Sequence, residues 1–86
     1  MKIKFYSDPG HGWAAVKRKV LVELDILDKI SAYSYQKGTT VYLEEDQDMT
    51  TFLTALLAKK GDSATYTTKY TDRRHPIRSY EHFKAE

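Results

Sequence analysis

The residues best suited to chemistry crowd into one short stretch, Ser7-Asp8-Pro9-Gly10-His11-Gly12-Trp13. It holds two of the four glycines, one of the two prolines, one of the three histidines and the single tryptophan. A histidine with a carboxylate partner moves protons near pH 7, and Asp8 is close enough in sequence to orient the imidazole of His11. The glycines would let a ligand approach the backbone. The competing expectation is a structural turn, with Trp13 anchoring the core of a small domain. No serine or cysteine nucleophile motif accompanies the stretch, and it is neither a P-loop nor a dinucleotide fingerprint. No catalytic residue is therefore assigned, and His11 and Trp13 are expected as contact residues on a loop.

Two other segments carry polar chemistry. Leu43 to Asp48, LEEDQD, packs four carboxylates into five positions. Oxygen ligands suit calcium or magnesium, but the spacing of an EF-hand is missing. A solvated acidic loop, with Asp48 or Thr50 capping a following helix, is the expectation. His11, His75 and His82 have no i, i+4 pairing, so neither a metal nor any other cofactor is expected. The last segment, TDRRHPIRSYEHFKAE, interleaves Arg73, Arg74, Arg78 and Lys84 with Tyr80 and Phe83. Basic residues between aromatics bind single-stranded nucleic acid through phosphates and stacking, and Tyr33, Tyr35, Tyr66 and Tyr70 would extend that surface as a sheet face. Tyrosine and arginine are equally the residues of protein-interface hot spots, and Asp72, Glu81 and Glu86 dilute the charge. Contact with a protein is preferred, with single-stranded nucleic acid as the alternative partner.

"SDPGHGW", "ISAYSYQKG" and "VYLEED" together resemble a family of small proteins encoded in bacteriophage and prophage genomes. The resemblance spans roughly residues 5–52. It implies an accessory protein of phage type. Joined to the preference for protein contact, this gives the expectation of a protein that binds a host protein in the host-cell cytoplasm, modulating or inhibiting a host system. The resemblance carries no catalytic role with it. Many such proteins have a cysteine after "EED", where this chain reads Gln47-Asp48, so a thiol has no part here.

Composition limits what else the chain does. Eighty-six residues make a single domain, with residues 72–86 expected as an irregular or extended tail. The net charge is only +2, with seven Lys/Arg and eight Asp/Glu in residues 1–48 against seven and four in 49–86. There is no cysteine, and no apolar run approaches the roughly 20 residues that cross a bilayer. A soluble cytoplasmic protein that binds no membrane is expected, as a monomer or a homodimer.

The elements that must position these residues follow from periodicity. Lys2 to Tyr6 alternates with period two and is expected as a strand with Ile3 and Phe5 inward. Asp8-Pro9-Gly10 ends it, and Trp13 to Val16 is read as a short return strand. Val16, Val20, Leu21, Leu24, Leu27 and Ile30 recur at helical spacing, predicting a helix of about 12 residues. Ile30–Gln36 and Thr39–Glu44 alternate on either side of a Lys37-Gly38 turn, predicting a hairpin. A second helix carries Phe52, Leu53, Leu56 and Leu57 and stops at Gly61. Ala64–Thr71 is the last strand. The expected fold is α+β, in the order β-(β)-α-β-β-α-β, with two helices on one face of a mostly antiparallel sheet. Without the short second strand it would be a ferredoxin-like split β-α-β.

Overall fold

Alternation at the start of the chain and the punctuation after it build the first hairpin. The computed structural model describes all residues from Met1 to Glu86. Strand β1 (Lys2–Ser7) turns through Asp8–His11 into β2 (Gly12–Lys17), and the two pair antiparallel, with Tyr6 opposite Trp13. The chain continues through α1 (Arg18–Glu23), β3 (Tyr35–Lys37), β4 (Thr40–Glu44), α2 (Asp48–Lys60), β5 (Thr65–Tyr70) and β6 (Glu81–His82). Short 3-10 turns lie at Leu27–Lys29 and Pro76–Ser79. The six strands form one sheet in the order β5-β1-β2-β4-β3-β6, antiparallel except where β5 runs parallel to β1.

This is the expected α+β fold, with the short return strand present. Strands β2, β4 and β3 keep the neighbour order of a split β-α-β unit. Strand β1 inserts between β2 and β5, so the sheet is not ferredoxin-like. Between β3 and β4 the two-residue loop Gly38-Thr39 has Gly38 at φ +60, where the hairpin needs a left-handed residue.

Both helices cover the same face, over Ile3, Ala14, Val16, Val41 and Leu43, and the core is completed by Leu21, Leu24, Phe52, Leu56 and Phe83. Strand β3 covers only Tyr35–Lys37, shorter than the expected Ile30–Gln36, because Asp48 holds Ser31 N and the Ser34 hydroxyl in the turn before it. Three further expected details change. The first helix is six residues long rather than about 12. Of the apolar residues assigned to it, Val16 belongs to β2 and Ile30 to the loop after the 3-10 turn. Both reach the core, so their spacing imitates one helical stripe. Helix α1 stops at Asp25, which takes φ +58, while Ile26 N donates to Leu21 O and Asp25 N to Val22 O. That is the Schellman pattern, with aspartate where glycine is usual. Secondly, Leu57 is 65% exposed; Ala55, not Leu57, completes the buried stripe of α2. Thirdly, Asp48 does not cap α2. Glu44 does that work, its carboxylate accepting from the backbone N–H groups of Gln47 and Asp48. The Asp48 carboxylate is fully buried and points back to Ser31 and Ser34. The Ser34 hydroxyl donates to Asp48 and accepts from Glu44 N, so it joins β4, α2 and the loop before β3.

The segment after Asp72, where sequence pattern fades, returns across the sheet. It adds β6 beside β3 and sends Phe83 into the core under Arg18, whose guanidinium holds the carbonyls of Lys84 and Ala85. No helix is long and apolar enough to cross a membrane.

Candidate functional site

The side chain that organises the Ser7–Trp13 turn is Asp8, and its work is internal. One carboxylate oxygen accepts from Gly10 N and His11 N at 3.0 Å each, an Asx turn that shapes the loop. The other accepts from His75 N at 2.9 Å, and the guanidinium of Arg78 meets both oxygens at 2.7 and 2.8 Å. Asp8 is therefore a clamp between the first turn and the C-terminal segment. It touches His11 through the backbone, not the imidazole, so the two do not form the proton-relay pair that their closeness in sequence would allow. The Arg78 hydrogen bond, helped by three backbone N–H donors and opposed by burial, holds the Asp8 carboxyl well below the usual carboxylate range.

The glycines of the turn serve the same packing. A Cβ on Gly10 would lie 2.5 Å from the Arg78 guanidinium, and one on Gly12 would lie 2.3 Å from the Phe5 ring. Internal neighbours, not an approaching ligand, require glycine at both positions.

The sheet face opposite the helices is aromatic. Trp13, only 2% exposed, lies there rather than in the helix-side core, beneath the returning segment that also buries Ile77. Tyr35 meets the Trp13 ring edge-on and stacks on His82 at 4.8 Å. Tyr6 packs against Tyr42 and His75, and Tyr42 against Tyr80, over which Lys37 lies. The Nδ1 of His82 is 2.7 Å from the carbonyl of Ala32. A carbonyl only accepts, so this nitrogen is the donor of the contact.

At one end of this face the aromatic layer opens into a groove of about 430 Å³. Its floor is aromatic, with Tyr35, Trp13 and the 75%-exposed Tyr33, and His11 and His82 stand beside them. Two carboxylates, Glu44 and Asp46, and two guanidiniums, Arg74 and Arg78, line it as well. Two of these four charges are already engaged: Arg78 by Asp8, and Glu44 by the amides of the α2 N-terminus. Asp46 and Arg74 have no ion-pair partner within the chain.

Of the residues singled out from sequence, the groove gathers His11, Trp13, Tyr33, Tyr35, Arg74 and Arg78. Tyr80 shares their sheet face but packs on Tyr42. The expected tyrosine face does not assemble. Strand β5 pairs with β1 so that Tyr66 falls opposite Ile3, which sends Tyr66 and Tyr70 to the helix side, away from Tyr35. Arg73 lies exposed in the turn after β5, outside the groove. Glu44, Asp46, Gln47 and His82 complete the groove and were not foreseen as site residues. The phase of β4 could have indicated Glu44: with Val41 and Leu43 inward, Tyr42 and Glu44 must face the other way. No family model matches the chain, and neither does any curated protein or solved structure.

Proposed function

We propose that this chain is a non-enzymatic binding module that seats a segment of a partner protein in the groove lined by Asp46 and Arg74. One observation carries the reading: an aromatic groove lined by both a carboxylate and a guanidinium that have no ion-pair partner within the chain. Such a groove suits a polypeptide, which offers both signs of charge and apolar side chains. A polyphosphate backbone would meet Arg74 but also Glu44 and Asp46, and Arg78 is already neutralised by Asp8. The resemblance to phage and prophage proteins makes a host-cell protein the partner, and modulation or inhibition of a host system the consequence.

The test is capture from nuclease-treated host lysate with a photo-crosslinking residue replacing Tyr33. A discrete crosslinked protein is expected, lost when Arg74→Glu is added, with the unfolding midpoint unchanged. Arg78 and Tyr80 are poor probes because both hold the fold. Tight oligonucleotide binding at physiological salt, falling by about 0.7 log unit per log[salt] for each phosphate contact, would overturn the reading in favour of single-stranded nucleic acid.

A further inference from the structure

Strand β5 is the unprotected edge of the sheet. All six of its residues are exposed, and it contains no proline and one charge, Lys69. The opposite edge, β6, is only two residues long. Thr65 N and Thr71 N donate inward, to Met1 O and Ser7 O. Residues of the same parity as these therefore face β1, and the backbone N–H and C=O groups of Tyr66, Thr68 and Tyr70 point outward without a partner. Exposed, unpaired edges of this kind are what soluble proteins usually disguise.

We propose that this edge pairs with β5 of a second copy of the chain, antiparallel about a twofold axis at Thr68. The sequence is self-complementary in that register. Tyr66 falls opposite Tyr70 of the other copy, Thr68 opposite Thr68, and each outward N–H finds an outward C=O, giving about six backbone hydrogen bonds. Tyrosine pairs and a threonine pair then share one face, both favourable cross-strand combinations. On the other face Lys69 falls opposite Thr67. The neighbouring registers are worse. Sliding by one step toward the C-terminus sets Lys69 directly against Lys69 of the other copy. Sliding the other way pairs Tyr70 with Ala64, which lies before the strand begins. Two six-stranded sheets become one continuous sheet across the dimer. The groove lies on the opposite sheet face and uses no residue of β5, so this inference stands independently of the function proposed above.

Sedimentation equilibrium and cysteine crosslinking test it. The mass of the intact chain, 10.0 kDa, is expected to double as concentration rises through the micromolar range, as suits a small polar interface. Thr68→Pro removes an outward N–H and no internal hydrogen bond, so the variant is expected to stay folded and to remain a monomer. The chain has no cysteine, so a single introduced one reports cleanly. Thr68→Cys is expected to form a covalent dimer under mild oxidation at least about tenfold faster than Thr65→Cys, whose counterpart would be several residues away along the paired strand. A wild-type chain monomeric at all concentrations, a dimer that survives Thr68→Pro, or equal crosslinking at residues 65 and 68 would overturn the proposal.

Discussion

Replacing Asp8 with asparagine tests the clamp that holds the C-terminal segment on the sheet. The substitution keeps the shape and one carbonyl oxygen, so the local hydrogen bonds from Gly10 N and His11 N can persist. The amide nitrogen then occupies the place of the second oxygen, and its donors face His75 N and Arg78 Nε, which are donors themselves. Removing one member of a buried ion pair costs about 3–5 kcal/mol. The Asp8 side chain is fully buried, but that of Arg78 is 26% exposed and recovers part of its hydration. A loss of about 2–4 kcal/mol is expected, where a chain of this size has roughly 4–13 kcal/mol in total.

Urea unfolding followed by tryptophan emission measures this loss. The single tryptophan, Trp13, lies under the segment in question, with Arg78 5.9 Å from its ring and His75 6.0 Å away. Asp8→Asn should shift its emission to the red even before the main transition, as the segment loosens. Acid gives the same clamp a second signature. The folded pKa of Asp8 is depressed from its ordinary 3.8, so the unfolded chain takes up this proton first. Its contribution is complete above about pH 4–5 and is lost as the pH falls below 4 toward the folded pKa. Asp8→Asn should remove that part of the acid sensitivity. A variant within about 0.5 kcal/mol of wild type, with unchanged emission, would refute the clamp.

Gly12→Ala should destabilise by about 1–3 kcal/mol, because the new methyl meets the Phe5 ring, and Phe5→Leu should recover part of that loss in the same urea assay. Ser34→Ala leaves Glu44 N without an acceptor and Asp48 without its buried donor, so a loss of about 1–3 kcal/mol by thermal unfolding is expected. Asp25→Gly relieves a left-handed aspartate at φ +58 and should raise stability by up to about 1 kcal/mol; a loss would mean the Asp25 side chain has work beyond its backbone angle.

What the sequence disclosed depended on how local the cause was. The hairpin around Gly38 and the end of α2 at Gly61 rest on turn chemistry within a few residues, and both were legible. The facing of Tyr66 and Tyr70 was not, because the parallel register against β1, some 60 residues away, sets it. The length of α1 misled because Val16 and Ile30 reach the core from a strand and a loop while keeping helical spacing. In the Ser7–Trp13 turn, glycine, proline and aspartate signalled a bend, and that much was sound. Sequence alone could not show that Asp8 serves Arg78 and not His11, a contact spanning 70 positions. The segment after Asp72 looked irregular for the same reason. Its order comes from isolated long-range anchors, Ile77, Arg78 and Phe83, which no periodicity announces.

The clamp also sets the terms on which the groove can bind. Arg74, Arg78 and His82 belong to the C-terminal segment, whereas His11, Tyr33 and Glu44 belong to the sheet and its loops. The groove therefore exists only while the segment is docked, and apparent affinity scales with the docked fraction. Once that fraction falls well below one, each further 1.4 kcal/mol lost from docking weakens partner binding about tenfold without altering a single contact to the partner. Arg74→Ala and Asp8→Asn should both weaken capture, but for separable reasons. The first removes a contact and leaves the emission of Trp13 unchanged. The second leaves Arg74 in place and moves that emission, and partner bound at saturation should restore it by selecting the docked state. If saturating partner left the emission of Asp8→Asn shifted, the binding surface would lie elsewhere than on a groove that needs the segment docked.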